Sequence, residues 1–139
     1  MHRGYLTTAF ILAAITVALG AFGAHKLQDI ASEKAVKTFE TAVRYQFYHV
    51  IALAIAGILY KSYTNKWIKT SGTFFLLGIF LFSGSLYLLT LSIAIKSADF
   101  NWVGPITPVG GIFFILGWIY LAVGVRTEKT TRTYADKNR

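Results

Sequence analysis

The sequence predicts an all-α fold: an integral membrane, antiparallel four-helix bundle with an interfacial amphipathic segment leading into the second span. Three observations predict it. Apolar residues make up 55% of the 139 and charged residues only 14%, with a mean hydropathy of +0.52; an ordinary soluble domain is about 45–50% apolar and about 25% charged. The charges lie mostly outside four apolar stretches, each close to the roughly 20 residues a helix needs to cross about 30 Å of hydrocarbon. Along these stretches small residues recur at intervals of seven, the interval that keeps one helix face against a partner. The absence of cysteine excludes disulfide frameworks, thiolate zinc sites, iron–sulfur clusters and cysteine nucleophiles.

The first span is read over Tyr5–Ala24, uncharged between Arg3 and Lys26. Met1-His2-Arg3 and the small residues around Phe22 also fit a cleaved signal peptide. Its apolar run exceeds the usual length of about 7–15 residues, however, and three more spans come after it. The second span is shorter. Its charge-free part, Tyr45–Tyr60, rises only about 24 Å at 1.5 Å per residue. Upstream, Ala35, Val36, Phe39, Ala42 and Val43 recur at helical spacing through residues 33–44. Ser32 suits an N-cap, and Glu33–Lys37 and Glu40–Arg44 are i,i+4 pairs in the favourable order. One long helix is expected, with its first turns at the membrane surface.

The third span covers Thr70–Ile95 between Lys69 and Lys96, and the fourth covers Ile106–Val125, with a hydrophilic tail over residues 126–139. In the turn before the fourth span, Gly104 to Gly111 lacks the Lys-Ser/Thr of a phosphate-binding loop, so Thr107 reads as a helix cap and Pro108 as a first-turn residue. The seven-residue series run Ala35, Ala42, His49, Ala56 in the second helix, Ser71, Gly78, Ser85, Ser92 in the third, and Gly110, Gly117, Gly124 in the fourth. In lipid, close approach over small residues supplies helix packing.

With four spans, Arg3, Lys61, Lys66, Lys69 and the five basic residues after Val125 share one side with Glu128 and Asp136. The other side balances Lys26, Lys34, Lys37, Arg44 and Lys96 against Asp29, Glu33, Glu40 and Asp99. The positive-inside rule places both termini in the cytoplasm. The net charge of +8 fits this topology signal and contact with anionic lipid better than nucleic acid, because the tail is short and has no interleaved aromatics.

Ionisable and polar residues at membrane depth are the candidates for function. His49 lies about 17 Å from the cytoplasmic end of its helix by rise, and Ser83 and Ser85 at about 20–23 Å on the third. A hydrogen bond from His49 to one of these serines is expected inside the bundle. Gln46, Arg44 and Glu40 sit above it and His25 ends the first span, with Arg44 and Glu40 expected to pair at the interface. Bis-histidine haem ligation by His25 and His49 is disfavoured by a depth difference of about 10 Å. No metal-ligand spacing accompanies either histidine. No catalytic set, cofactor site or metal site is therefore assigned.

Four stretches carry a family resemblance: Gly20-Ala21-Phe22-Gly23-Ala24-His25, Tyr45-Gln46-Phe47-Tyr48-His49, Leu81-Phe82-Ser83-Gly84-Ser85-Leu86-Tyr87, and Gly104 through Gly111 with Gly117-Trp118. In order and position they resemble domain of unknown function 423, the YgdD-like and YwdK-like bacterial inner-membrane proteins, called transmembrane protein 256 in animals. The resemblance covers nearly the whole chain and implies about four membrane helices. It implies no catalytic residue.

The expected function is that of a non-enzymatic plasma (inner) membrane protein acting through helix–helix or lipid contacts, as an accessory or structural component, alone, as a homo-oligomer or within a larger complex. The competing reading is a small transporter or lipid-handling protein using His25, Arg44, Gln46 and His49. A haem or quinone protein ranks third.

Overall fold

The structure is a computed structural model that describes the backbone of residues 1–96 and 101–137 and the side chains of residues 1–96 and 102–127. Four helices carry it: α1 (Arg3–Ile30), α2 (Glu33–Leu59), α3 (Lys66–Ala94) and α4 (Ile106–Lys137). All four are long and apolar enough to cross a membrane. At 27 residues α2 rises about 40 Å, beyond the roughly 30 Å of a hydrocarbon core, so its charged first turns project past it.

The long α2 is the helix expected from Glu33. Ser32 caps it by accepting from the Ala35 amide at 3.4 Å, and the Glu33–Lys37 pair forms at 2.6 Å on the surface. Glu40 and Arg44 do not pair with each other; both are exposed and turn outward, which corrects the expected interfacial ion pair. The third helix starts earlier than Thr70. Asn65 caps it through Oδ1, accepting from the Ile68 amide at 3.1 Å, while its Nδ2 donates to the Gly124 carbonyl at 3.0 Å. That single side chain ties the start of α3 to the membrane end of α4.

Two helices contain a π turn, Gly23–Leu27 in α1 and Ile79–Ser83 in α3. The first carries α1 on past Ala24, since no proline or charged run interrupts it before Ile30. A π turn widens the helix locally and rotates the turns beyond it. The loop acid Asp99 and the side chains after residue 127, which contribute to the charge balance, lie outside the described residues.

The helices pack in chain order, α1 against α2, α2 against α3 and α3 against α4. The α3–α4 seam is an antiparallel interdigitation of small and large residues. A Cβ on Gly124 would come within 2.6 Å of Ile68 and one on Gly117 within 2.6 Å of Phe75, while Gly78 lies under the Phe114 ring and Gly110 under the Phe82 backbone. The seven-residue glycine series of α4 therefore receives large residues from α3, themselves seven apart. Close backbone approach of this kind is how helices associate where lipid removes the hydrophobic drive. At the opposite end of the chain, Tyr5 extends from α1 across Gly72 and donates its hydroxyl to the Lys69 carbonyl at 2.8 Å, tying α1 to α3.

The core of this assembly is apolar: Ala9, Leu53, Ala56, Ile68, Phe75, Phe114 and Leu121 are buried together. By contrast Phe10, Val17, Phe80, Ile112 and Ile115 are exposed. A surface of large apolar side chains around an apolar core suits hydrocarbon as solvent.

Candidate functional site

The seven candidate polar residues do not converge. They divide into an exposed rim, three interior hydrogen-bonded sets and one unpartnered hydroxyl.

The rim comprises His25, near the C-terminal end of α1, and Glu40 and Arg44, in the N-terminal half of α2, all exposed. Arg44 and Glu40 border a shallow surface cleft with Gly20 and Val43.

The first interior set joins three helices. The Gln46 amide, 4% exposed, donates from Nε2 to Thr16 Oγ1 at 2.7 Å and accepts at Oε1 from the Tyr87 hydroxyl at 3.0 Å. Thr16 passes its own proton to the Leu12 carbonyl at 2.6 Å. Gln46 of α2 thus pins α1 and α3 at one depth, and each side-chain polar atom of this set has a partner. Buried polar groups hold their positions when fully satisfied, and each is expensive to leave unpaired. Sequence reasoning alone does not single out Thr16 and Tyr87. A threonine inside an apolar helix facing a glutamine at similar depth is the available signal.

The second set centres on His49. Its Nδ1 meets the carbonyl of Tyr45, one turn back on its own helix, at 2.7 Å, and Trp118 Nε1–H donates toward Nε2 at 3.4 Å. A carbonyl only accepts and an indole N–H only donates, so the Nδ1–H tautomer of the neutral ring is the form that satisfies both. The imidazole stacks on Phe114 with centroids 3.4 Å apart and planes 8° from parallel, with Phe75 6.0 Å away. The expected bond from His49 to Ser83 or Ser85 is not formed. The depths match, but the ring turns toward α4 and its polar atoms are used by Tyr45 and Trp118.

The serines go elsewhere. Ser85 Oγ lies 2.6 Å from Thr107 Oγ1 and donates to the Phe82 carbonyl at 2.9 Å. Thr107 is consequently inside the first turn of α4 and serves as a cross-link to α3, which corrects its expected role as a cap. Ser83, 1% exposed at the end of the π turn, has no hydrogen-bond partner for its Oγ.

Among the described residues no group of three His, Cys, Asp or Glu side chains gathers as a metal site. Both His49 nitrogens are engaged while His25 is at the exposed rim, so the pair is not placed to share a haem iron.

Residues 19–111 match the family model described as protein of unknown function (DUF423). The chain belongs to this family. This DUF423 protein is 41% identical over 130 residues to a UPF0382 membrane protein of Haemophilus influenzae, an alignment covering 94% of this chain and 99% of the relative. It is 38% identical over 122 residues to the UPF0382 inner membrane protein YgdD of Escherichia coli, covering 88% of each chain. It is 35% identical over 120 residues to the UPF0382 membrane protein YwdK of Bacillus subtilis, covering 86% and 93%. No solved structure matches it. Together with the four apolar helices these relatives make the DUF423 chain a membrane protein. The family match takes in all seven candidate residues, whereas Thr16, Phe114 and Trp118, which complete the interior sets, lie outside it.

Proposed function

We propose that this DUF423 protein is a non-catalytic component of the plasma (inner) membrane, acting through contacts of its helices with lipid and with other membrane helices. The observation that carries this reading is the closure of its interior polar groups on one another, with Ser83 the exception. Gln46, Thr16 and Tyr87 satisfy each other, as do His49, Tyr45 and Trp118, and Ser85 with Thr107. A translocation route or a reaction centre needs polar groups presented to a passing ligand. Here they are spent on joining helices. The charge distribution supports cytoplasmic termini, with the outward turns of α2 at the opposite surface. Partners of this kind are lipids and helices, a second copy included, and not nucleic acid.

The test is gentle extraction from the native membrane and identification of everything that copurifies, paired with flux measurements on the purified protein in liposomes. Membrane proteins and lipids should copurify and the liposomes should stay tight. A protein isolated alone with one water-soluble ligand, or one that carries solute into liposomes, would sink the reading and favour a transporter using the outer polar residues.

A further inference from the structure

We propose that a cleft between the outer halves of α1 and α3 holds one acyl chain of a phospholipid, with the lipid phosphate at Lys96. The proposal rests on the reading of this protein as one that acts through lipid contact. The cleft measures about 390 Å³ and is walled by Phe22, Leu27 and Ile30 of α1 and by Leu91 and Ile95 of α3. Its floor is Phe39 of α2. That ring is set by Gly23, where a Cβ would come within 2.8 Å of it, and by the rings of Tyr87 at 5.2 Å and Phe22 at 6.0 Å. The π turn of α1 places Leu27 at the cleft wall and is therefore part of its shape.

The chemistry of the walls selects the occupant. Only Tyr87 and Thr90 bring hydroxyls to the cleft, and both protons are already given away, Tyr87 to Gln46 at 3.0 Å and Thr90 to the Leu86 carbonyl at 2.8 Å. An apolar cavity without free polar partners does not hold ordered water. In a membrane-spanning chain the medium at this depth is hydrocarbon. A whole helix with its side chains is about 10–12 Å across and does not fit inside a space of this volume, whereas a single flexible chain does. The α3 wall runs from Tyr87 to Ile95, about 12 Å along the helix axis by helical rise, and a membrane-crossing helix runs broadly in the direction in which acyl chains lie.

At the mouth, Ile95 leads into Lys96, exposed and in the left-handed region with φ 53, where α3 ends. On α1, the exposed Lys26 precedes the wall residue Leu27, and Asp29 comes two residues after it. Among the described residues flanking the cleft, Lys26 and Lys96 set two ammonium groups against the one carboxylate of Asp29, which complements a phosphate held above the chain.

The experiment is native mass spectrometry of the full-length protein, delipidated in detergent and titrated with phosphatidylglycerol. Wild type should retain one lipid per chain. Ala94→Trp, which puts an indole into the cleft, should lose it, and Lys96→Gln should weaken retention several-fold. Ile112→Trp, on the lipid-facing surface of α4, should retain it. All four proteins are compared at equal helical content, so that a misfolded variant is not counted. Equal retention by Ala94→Trp and wild type overturns the proposal. So does a protein dimer that Ala94→Trp dissolves, because the cleft then holds a side chain of a second copy. Solute flux in liposomes with unchanged lipid retention would refute the proposed function while leaving the lipid site standing.

Discussion

Replacing Gly110 with alanine tests how α4 is seated on α3. A Cβ at this position would lie 2.7 Å from the Phe82 Cα and closer still to its amide nitrogen, and these are backbone atoms of the π turn that cannot rotate aside. Restoring ordinary contact with that nitrogen needs more than an ångström of movement. That movement would pull on the 2.6 Å link between Ser85 and Thr107, one turn away, and on the packing of Phe75 over Gly117. Overpacking of a close interface costs about 1–3 kcal/mol, while alanine in place of glycine returns up to about 1 kcal/mol of helix propensity. Gly84→Ala supplies the reference, because a Cβ there meets nothing within 4 Å and only the propensity term applies. The difference between the two variants thus isolates the contact and should be about 1–3 kcal/mol in favour of Gly84→Ala. Unfolding of both proteins in one detergent, monitored by circular dichroism, measures it. A Gly110→Ala protein as stable as Gly84→Ala would refute the proposed seating of α4.

Five further substitutions, at four positions, read the interior. Gln46→Leu leaves the Tyr87 hydroxyl and Thr16 without their partner and should cost about 1–3 kcal/mol, whereas Tyr87→Phe, which removes one donor, should cost about 0.5–1.5 kcal/mol in the same unfolding assay. Ser83→Ala should be neutral or stabilising, because the hydroxyl it removes has no partner; a clear loss of stability would show that Ser83 bonds a group at that site. His49→Ala should be among the most damaging substitutions, at roughly 3 kcal/mol or more through the cavity left against Phe114, while His49→Phe should retain most of the stability and leave lipid retention unchanged by native mass spectrometry.

The outline of this fold is legible in the sequence because its causes are local. Charge-free length identifies four spans, Ser32 and the Glu33–Lys37 pair announce α2, and the glycines at 110, 117 and 124 mark a seam. The residues facing each seam are set non-locally. The series Ile68, Phe75 and Phe82 that fills the α4 glycines reads in sequence as ordinary apolar content, and only the antiparallel register of two helices makes it the complement. The same distinction explains the polar residues. Helical rise places His49, Ser83 and Ser85 at depths close enough to suggest contact, but rise contains no information on azimuth.

Azimuth is also where α3 departs from a regular helix. The π turn over Ile79–Ser83 spaces its residues differently from the α-helix below it, so a face extrapolated from Ser71 and Gly78 does not predict the direction of Ser83. His49, meanwhile, has a nearer acceptor than any serine, the carbonyl of Tyr45 one turn back, and an indole from α4 for its other nitrogen. In a hydrocarbon medium such backbone and aromatic partners are as good as a hydroxyl and cost less ordering, since the nearer is fixed by the helix itself. A polar residue in a membrane helix is therefore first a demand for a partner, and Gln46, His49 and Ser85 each have theirs within the fold. Ser83 is the exception, its hydroxyl buried without a partner, and for that reason it is the interior polar side chain the fold can best do without.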